Sequence, residues 1–503
     1  MIPVLKVLCI VTLCFIVQYC IRQLVNKLRY EVGVYHRGCE RPPNLRPWDP
    51  IFNLDIILSN LKARVEHRVL QLDQKNFNKY GHTLQNPFFG PGTIQTTSVE
   101  NYQAMMSVQG NNDFLAARSW AMKPMAGLGL IDTDGTVWAY HRRMAKTMFS
   151  RAQINDPTNF GVHFRRMMQL LPRDGSTVDL RPLFDKMNMD AQSEFCFGES
   201  VETLLPHNEA PRRLMKELSN AMSGTGKRLF AGRWSWLIQD KSYRESCKFV
   251  RAYISELIDK ALARTSATDD EKAYRVLVYE YSKEAKTREQ LIDMLFCIFM
   301  PGKDTPGTLL GHVFFACARN PHVWTKLRAE VLSCDIDLCT LTLAKLQSLK
   351  YMQNVIYETL RLYPVLDQTA RTTRINTTLP RGGGLDGNSP IYLLRDTMVV
   401  VNFWCMNRRE DIYGPDAHVF RPERWDDNPE LLVDFHPFGK GPRSCPGQNL
   451  ALFWLGYSLC GMAQCIKSVE NRDPVQEFVE DIALTHGSLN GVKVGLKFDW
   501  NPK

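Results

Sequence analysis

Most of the chain has the spacing of apolar residues that helices require. Apolar positions recur every three or four residues over 159–171, 248–263 and 323–332, which is the periodicity of an amphipathic helix. Strand-like runs are short: SPIYLL and TMVVVNFW lie after residue 388, and GVKVGLKFDW lies near the end. The pattern predicts one large, mainly α-helical domain over residues 51–503 with a small amount of sheet.

The first residues contain a long apolar stretch. Val4 to Ile21 carries a charge only at Lys6, and its length nearly spans a bilayer core of roughly 30 Å. No small-residue cleavage site follows it, which disfavours a signal peptide that is removed. The positive charges of Arg22, Lys27 and Arg29 follow the stretch and place the body of the protein on the cytosolic side. A buried core helix is the alternative interpretation.

These features divide the chain into three predicted segments. Residues 1–25 are expected to form a transmembrane signal anchor. Residues 26–50 are expected to form a basic and proline-rich linker, which ends in the stiff segment RPPNLRPWDP. Residues 51–503 are expected to form a single folded domain.

Composition and charge exclude several classes of protein. The 503 residues are 44% apolar and 23% charged, as in a folded globular protein. The net charge of +9 has no dense Lys/Arg tract behind it, so nucleic acid is a poor candidate for a partner. The 14 cysteines are spread along the chain without a Cys-x-x-Cys pair. Reduced, mostly buried thiols in a cytosol-facing protein are therefore expected rather than zinc sites or a disulfide framework.

One cysteine lies in an unusual loop, PFGKGPRSCPGQNLA, at residues 437–451. Pro446 can occupy the first position of the apolar helix that follows, which puts Cys445 beside a positive helix end. Gly441 and Gly447 allow backbone amides to approach the sulfur, and Phe438 can cover the loop. A single soft ligand in a shielded loop suits haem iron. Taken alone, the loop fits a buried structural cysteine equally well.

The same loop carries a family resemblance. Phe438, Gly441, Arg443, Cys445 and Gly447 match the signature Phe-x-x-Gly-x-Arg-x-Cys-x-Gly, and the chain therefore resembles the cytochrome P-450 superfamily, the haem-thiolate monooxygenases. The resemblance implies the P-450 fold, a large helical domain with a small β-rich subdomain. It implies that haem b is the cofactor, that Cys445 is the axial ligand of its iron, and that Arg443 approaches a haem propionate.

Further segments resemble the same family. The helical segment YMQNVIYETLRLYP contains Glu358 and Arg361 three residues apart, where opposite charges can pair. The pair is similar to the family's Glu-x-x-Arg motif, and FRPERW supplies Arg424 as the third member. In the family these residues form a buried charge network. An ordinary surface ion pair is the alternative.

Two more segments are expected to hold the haem propionates. The segment DGTVWAYHRRMAKTMF is similar to the family's Trp-x-x-x-Arg helix, with Trp138 and Arg142 one turn apart. Arg371 matches the basic residue that follows the Glu-x-x-Arg helix. Arginine binds a carboxylate with two parallel hydrogen bonds, which suits this role.

A polar interruption in a long apolar run resembles the family's oxygen-activating helix. A carboxylate and a hydroxyl side by side, Asp304 and Thr305, are the candidates for proton delivery. The segment departs from the family pattern at Pro301 and Pro306. Each proline removes a helical hydrogen bond to the carbonyl four residues earlier, so the helix is expected to bend there.

Three segments, TTLPRGGGLDGNSPI, CMNRREDIYGPDAHVFRPERW and DAQSEFCFGES, resemble the fungal n-alkane and fatty-acid hydroxylase branch. The resemblance implies a single-pass protein of the endoplasmic reticulum membrane that receives electrons from an NADPH–cytochrome P-450 reductase. No nucleotide-binding glycine fingerprint is present, so a separate reductase is required. Lys440 and Arg443 lie near the cysteine loop, where they could attract an acidic partner.

The predicted reaction inserts one oxygen atom into a lipophilic small molecule, such as a polyketide or terpenoid pathway intermediate. Terminal hydroxylation of fatty acids or n-alkanes is the alternative. A haem-thiolate isomerase, dehydratase or peroxygenase, which would not need dioxygen and a reductase, is a further alternative. A non-catalytic membrane protein with a structural cysteine loop is the last one.

The segment expected to line the substrate pocket differs from that branch. Asp367 and Gln368 stand where alkane hydroxylases tend to have proline and asparagine. They suggest a substrate that forms hydrogen bonds, although they could equally point to solvent. Ser488 lies in ALTHGSLNG, which is expected to form a turn near the substrate. Phe114 and Met125 are candidate lid residues.

Overall fold

A computed structural model describes most of the chain. The described residues are 14, 17, 18, 21, 24–45, 49, 53–86, 93–116, 118–149, 157–206, 209–267 and 276–499. Most of the predicted membrane span, Val4 to Ile21, lies outside these residues. Within them, no helix combines the length and the apolar character needed to cross a membrane.

Helices make up most of the described chain. Residues 24–36 are helical. The helices that follow are α1 (Leu54–Val65), α2 (Val69–Tyr80), α3 (Val99–Met106), α4 (Val108–Asp113), α5 (Ser119–Ala126), α6 (Gly135–Met148), α7 (Pro157–Gln169), α8 (Leu180–Phe197), α9 (Glu209–Ala231), α10 (Lys241–Ala267), α11 (Leu277–Glu284), α12 (Arg288–Arg319), α13 (Pro321–Ser333), α14 (Leu343–Ser348), α15 (Lys350–Leu362), α16 (Phe403–Met406), α17 (Glu410–Tyr413), α18 (Arg424–Asp427), α19 (Leu431–Asp434) and α20 (Gln448–Cys465).

The strands are short and form four small sheets. They are β1 (Thr83–Asn86), β2 (Thr93–Thr96), β3 (Phe114–Ala116), β4 (Thr177–Asp179), β5 (Gln368–Thr373), β6 (Thr377–Gly383), β7 (Ser389–Leu393), β8 (Met398–Asn402), β9 (Ile466–Asn471), β10 (Glu480–Ile482), β11 (His486–Ser488) and β12 (Lys493–Phe498). The largest sheet has the order β1-β2-β8-β5-β3, in which β1 and β2 are antiparallel and β2 and β8 are parallel. The others are β4-β12-β9, β6-β7 and β10-β11.

The chain divides into two compact units. The smaller one comprises Met1–Leu58, Asp73–Leu115 and Ala370–Val401, and it holds most of the five-stranded sheet and the β6-β7 hairpin. The larger one comprises Ser59–Leu72, Ala116–Thr369 and Asn402–Lys503, and it holds most of the helices. A large helical part and a small β-rich part were both expected.

Helix α12 contributes to two apolar cores of the larger unit. Its first half supplies Phe296 and Phe299 to one core, and its second half supplies Val313 and Phe314 to the other. Its N-terminus is capped by Thr287, whose hydroxyl accepts a hydrogen bond from the backbone N–H three residues later. The polar residues in the middle of α12 are therefore held between two packed regions.

Most elements predicted from periodicity form where expected. The three predicted helical segments lie within or across α7, α10 and α13, and the three strand-like runs contain β7, β8 and β12. The predicted linker is more structured than a spacer, because Leu45 is buried and its N–H donates to the carbonyl of Gln85 at 3.0 Å. The described cysteines are all free thiols, with most of them buried.

Candidate active site

The cysteine loop is held by its own backbone. The N–H of Cys445 donates to the carbonyl of Phe438 at 2.8 Å, which closes the loop. Gly439 and Gly441 have φ angles of 79° and 69°, a left-handed conformation that favours glycine. Helix α20 begins at Gln448 with Gly447 as its N-cap. The helix thus starts two residues later than the prediction that placed Pro446 at its first position.

Two opposing effects act on the pKa of the Cys445 thiol, and the stronger of them raises it. The side chain is exposed on one side, but protein atoms surround it closely on the others, and this burial raises the pKa of the thiol. The backbone amides of Gly447 and Gln448 and the charge of Arg142 act in the opposite direction. A thiol in this setting becomes a thiolate when it binds a metal cation. An open sulfur backed by amide donors fits the iron of a haem.

Arg142 fixes the residue before the cysteine. It extends from α6, and its guanidinium donates to the carbonyl of Ser444 at 2.7 Å and to the hydroxyl of Ser444 at 3.2 Å. Burial lowers the pKa of Arg142, and the interaction with Cys445 acts to raise it. The predicted helix that carries Trp138 and Arg142 one turn apart therefore forms, and its arginine lies at the cysteine loop.

Arg443 connects the same loop to the start of α6. Its guanidinium forms an ion pair with Asp134, donates to the carbonyl of Thr133 at 3.1 Å, and lies 4.6 Å from the ring centroid of Trp138. Trp138 and Arg443, which the sequence placed at the same cofactor, are thus in contact. Two guanidinium groups beside one exposed thiol suit a ligand that carries both a metal and carboxylates.

Arg118 is a third cation that the sequence did not indicate. Its Nε donates to the carbonyl of Ile131 at 3.2 Å, and its charge lowers the pKa of Arg443. Burial lowers the pKa of Arg118 itself, whereas the carboxylates of Asp132 and Asp134 act to raise it. No local motif surrounds Arg118, so only the three-dimensional structure reveals that it lies near this site.

Arg371 belongs to the smaller unit, where it is buried on β5. Its guanidinium donates to the carbonyl of Ala370 at 3.1 Å and contacts the sulfur of Met106 at 3.8 Å. Its predicted role at a haem propionate stays a prediction.

Helix α12 continues as an α-helix through both prolines. Pro301 and Pro306 have no N–H, so the carbonyls of Cys297 and Gly302 lack their usual helical donors. The hydroxyl of Thr305 donates to the carbonyl of Pro301 at 3.0 Å. The prolines therefore change the hydrogen bonding of α12 without ending the helix.

Asp304 is a buried carboxylate with three partners. It lies 3.3 Å from the ammonium of Lys303, accepts a hydrogen bond from the hydroxyl of Thr485, and is near the charge of Arg181. Burial alone would raise the pKa of Asp304, but these groups outweigh it and the pKa is lowered. Asp304 is consequently ionised at neutral pH. The sequence identified Asp304 but gave no signal for Thr485, which is 181 residues away.

The predicted charge network forms in the core. The guanidinium of Arg361 donates to both carboxylate oxygens of Glu358, at 2.9 and 2.7 Å, and Arg424 lies 3.5 Å from the same carboxylate. All three are fully buried. Asp416 is a fourth member that the sequence did not indicate, because it accepts from Arg424 at 2.7 Å. The alternative of a surface ion pair is excluded.

The candidate substrate residues differ in exposure. Asp367 is buried, and this burial raises its pKa to about 6 against the charge of Arg64 and nearby backbone amides. Gln368 is exposed at the start of β5. Ser488 is buried in the β10-β11 hairpin, and its hydroxyl has no hydrogen-bond partner.

The two candidate lid residues are both buried. Met125 packs in a core of the larger unit. Phe114 is buried in the smaller unit at the start of β3. Neither position tests a contact with a substrate, so all of the substrate assignments stay predictions.

Comparisons with known proteins agree with this site. The chain is 31% identical over 473 residues to the cytochrome P450 monooxygenase himC of Aspergillus japonicus, covering 92% of this chain and 84% of that protein. It is 32% identical over 480 residues to the cytochrome P450 monooxygenase fsdH of Fusarium heterosporum, covering 92% and 83%. It is 31% identical over 464 residues to cytochrome P450 52A13 of Debaryomyces hansenii, covering 88% and 89%.

The family match extends over most of the chain. The family model described as Cytochrome P450 matches residues 49–464, which include the cysteine loop, the charge network and the acid–hydroxyl pair. The predicted family, the mainly helical fold, the monooxygenase class and the haem cofactor are thereby confirmed. This chain belongs to the cytochrome P450 family, whose proteins use haem with a cysteine thiolate ligand.

Proposed function

We propose that this P450 is a membrane-anchored monooxygenase that inserts one oxygen atom into a lipophilic intermediate of fungal secondary metabolism, such as a polyketide or a terpenoid. The observation that carries the proposal is the geometry of the cysteine loop. Cys445 presents an exposed sulfur, and its loop is fixed by Arg142 and Arg443. In the proposed site, the thiolate of Cys445 would ligate the iron of haem b.

The remaining cofactor contacts are assigned to the groups around that loop. Arg142 and Arg443 would bind the haem propionates, with Trp138 packed against Arg443, and Arg371 would be a further propionate ligand. Phe438, Gly441 and Gly447 would shape the loop that presents the sulfur. When bound, the haem supplies the iron at which dioxygen is activated. The described residues fit a haem because they combine one positioned thiol with several guanidinium groups.

Asp304 and Thr305 are assigned to proton delivery. The inserted oxygen atom is one of two in dioxygen, and the other leaves as water, so the reaction consumes protons. Asp304 is an ionised carboxylate that can accept a proton, and Thr305 carries a hydroxyl that can pass one on. Their retention favours a monooxygenase over a haem-thiolate isomerase, dehydratase or peroxygenase, which would not need dioxygen and a reductase.

The substrate class rests on Asp367. Asp367 is a buried carboxyl group, and in the proposed pocket it would form a hydrogen bond to a polar group of the substrate. Gln368, Ser488, Met125 and Phe114 are assigned to the same pocket. The alternative is a terminal hydroxylase of fatty acids or n-alkanes, which is supported by the resemblance of three segments to that branch. A substrate that is a fatty acid or an n-alkane would establish the alternative.

The proposed location is supported by the apolar stretch Val4 to Ile21, and the proposed partner by the positive charges near the cysteine loop. The proposed anchor is residues 1–25 and the linker is 26–50, with the catalytic domain over 51–503 facing the cytosol from the endoplasmic reticulum membrane. Electrons would come from an NADPH–cytochrome P450 reductase, which could dock near Lys440. Protease treatment of intact microsomes tests the orientation, because a cytosolic domain would be digested without detergent.

Product analysis tests the proposed reaction. The full chain is expressed with the reductase in microsomes and supplied with separate panels of polyketides, terpenoids, fatty acids and n-alkanes. We expect products heavier by one oxygen atom that need NADPH and incorporate label from ¹⁸O₂. Products from fatty acids and n-alkanes alone would establish the alternative. Turnover driven by peroxide, or without any oxidant, would contradict the monooxygenase assignment.

A further inference from the structure

Three side chains along one face of α6 contact the cysteine loop. They follow one another at intervals of four residues, which places them above one another on successive turns. Asp134 pairs with Arg443, the ring of Trp138 lies 4.6 Å from the same guanidinium, and Arg142 donates to the carbonyl of Ser444 at 2.7 Å. The family's Trp-x-x-x-Arg pattern contains only the last two of these positions. Asp134 extends the line by one turn.

The Asp134 carboxylate does not cap the helix that it precedes. Asp134 is the N-cap residue of α6, where an aspartate side chain usually accepts a hydrogen bond from a backbone N–H of the first turn. Here the side chain forms no such bond. Both of its oxygens instead accept from the N–H of Ala116 at 3.1 Å, and one of them accepts from the Arg443 guanidinium. The carboxylate is therefore directed at the cysteine loop instead of at its own helix.

Arg443 is held by the segment that starts α6. One terminal nitrogen of its guanidinium donates to the Asp134 carboxylate, and the other donates to the carbonyl of Thr133 at 3.1 Å. The central carbon of the guanidinium lies over the ring of Trp138. The side chains of Arg443 and Asp134 are 9% and 25% exposed, so water screens their pair less than it would screen a surface pair. The orientation of Arg443 thus depends on Asp134.

One guanidinium can bind two carboxylates at once, because its five N–H groups point in several directions in one plane. This chain contains an example, since Arg424 lies 3.5 Å from Glu358 and 2.7 Å from Asp416. Arg443 has one carboxylate in Asp134, and the proposed site gives it a second one in a haem propionate. The two acids can share Arg443 as Glu358 and Asp416 share Arg424.

We infer that Asp134 is a positioning residue for the haem. It orients the guanidinium of Arg443 toward a propionate, and its negative charge offsets part of the positive charge of Arg443. A negative charge near a haem stabilises ferric iron over ferrous iron, so Asp134 keeps the reduction potential lower than a neutral residue would. The inference rests on the proposed function, in which Cys445 ligates the iron and Arg443 binds a propionate.

The reduction potential of the iron tests the charge of Asp134 without turnover. Asp134→Asn removes the charge but keeps an oxygen that can accept from the N–H of Ala116. In the full-length haem-bound protein, spectroelectrochemical titration should give Asp134→Asn a higher ferric/ferrous midpoint than the wild type. Asp134→Glu, which keeps the charge, should stay near the wild type. Equal midpoints in the wild type and Asp134→Asn would overturn the inference.

A second neutral variant and a matched control accompany this measurement. Asp134→Ser should raise the midpoint as Asp134→Asn does, and its hydroxyl can cap α6, which favours folding. Asp259→Asn is the control, because Asp259 also pairs with an arginine, Arg288 at 2.8 Å, but its side chain is 71% exposed. It should leave the midpoint unchanged. An equal shift in Asp259→Asn would overturn the inference, because removal of any paired carboxylate would then be enough.

The rate of haem loss tests the orientation of Arg443. Haem that leaves the ferric protein is captured by an excess of apomyoglobin, and the change in the Soret region measures the transfer. Asp134→Asn should lose haem several-fold faster than the wild type, because Arg443 is no longer held in place, and Asp134→Glu should recover part of the loss. An unchanged rate would overturn the inference. A slower loss would overturn it too, because Asp134 would then compete with a propionate for Arg443.

The outcomes separate this inference from the proposed function. A wild type whose reduced, carbon monoxide-treated form lacks the thiolate-type Soret band would overturn both. A wild type that shows the band but forms no oxygenated product would overturn the monooxygenase assignment alone, and the midpoint and the rate of haem loss would still decide the role of Asp134. A wild type that forms product, with an Asp134→Asn variant that matches it in midpoint and haem loss, would overturn the role of Asp134 alone.

Discussion

The side-chain amide of Gln192 fills the position that a β-carbon on Gly302 would take, where α8 packs against α12. Its Nε2 also donates to the carbonyl of Ile298 at 3.2 Å, so the amide is fixed against the helix. Three of its atoms occupy the space that a β-carbon at residue 302 would need. Protein interiors are close-packed, and such a volume cannot be added without moving a neighbour.

The first prediction is that Gly302→Ala destabilises the protein. The clashing atoms are the end of a flexible side chain, so the cost is that of the hydrogen bond lost when the Gln192 amide leaves the carbonyl of Ile298, about 1 kcal/mol. The apparent midpoint of thermal unfolding measures the effect. Gly302→Ala combined with Gln192→Ala should recover much of the loss, since the clashing amide is then absent.

Gly311→Ala is the matched control for this prediction. Gly311 lies on the same helix, and a β-carbon there would meet its nearest atoms at 3.5 and 3.8 Å, which are ordinary contacts. The change should be neutral or stabilising, since alanine is favoured over glycine inside a helix. Equal effects at residues 302 and 311 would contradict the predicted clash.

The second prediction concerns the buried charge network. Glu358→Gln should lower the free energy of unfolding by about 3–5 kcal/mol, because it removes the carboxylate shared by two buried guanidinium groups, of which Arg424 keeps its pair with Asp416. Denaturation by urea, followed by tryptophan fluorescence, measures the change. Glu245→Gln, which removes an exposed ion pair with Lys241, should cost well under 1 kcal/mol. A similarly small loss at Glu358 would show that the network is not a structural requirement.

The third prediction is a pH dependence at Asp132. Burial raises the pKa of Asp132 to about 7, against the charge of Arg118, and Asp293 adds to the rise. An unfolded carboxyl group titrates near 4, so the folded state binds more protons between pH 4 and 7. The contribution of Asp132 to the stability of the folded protein should therefore be complete below pH 4. It should be lost as the pH rises through 7. The difference between the folded and the unfolded carboxyl group corresponds to about 4 kcal/mol.

Other carboxyl groups titrate between pH 4 and 7, so the contribution of Asp132 is isolated by comparing the wild type with Asp132→Asn. The unfolding midpoint of the wild type should fall more steeply between pH 4 and 7 than that of Asp132→Asn, since the variant has no carboxyl at this position. Asp426→Asn, at an exposed position, should follow the wild type. Parallel curves for the wild type and Asp132→Asn would contradict the assignment.

The sequence was most informative where a function needs fixed spacing. The loop around Cys445, the Glu358–Arg361 pair and the Trp138–Arg142 turn all lie within short segments, and local geometry determines their contacts. Partners that come from distant segments were not predictable. Asp416 pairs with Arg424, and its loop reaches α15 through hydrogen bonds from Arg361 to the carbonyls of Ala417 and Val419, and no rule of spacing links this loop to α15.

The prolines of α12 show a different limit. Their chemistry predicts correctly that two carbonyls lose their donors, but it does not say how the helix compensates. Helix α12 packs in two apolar cores, and Gln192 and Thr305 add side-chain hydrogen bonds to the carbonyls of Ile298 and Pro301, which adjoin the two carbonyls without donors. Tertiary packing thus outweighs the local preference to end the helix, which periodicity alone cannot reveal.

The last prediction concerns the cysteine that defines the site. Cys445→Ser should abolish the thiolate-type Soret band of the reduced, carbon monoxide-treated protein, because a hydroxyl is a far weaker ligand to iron than a thiolate. The loop itself should survive, since the bond from the residue 445 N–H to the carbonyl of Phe438 involves only backbone atoms. Cys465→Ser is the matched control, because Cys465 is an exposed free thiol at the end of α20, the helix that follows the loop. It should keep the band. An unchanged band in Cys445→Ser would show that the sulfur at residue 445 is not the iron ligand, and loss of the band in Cys465→Ser would show that a substitution outside the loop is enough to abolish it.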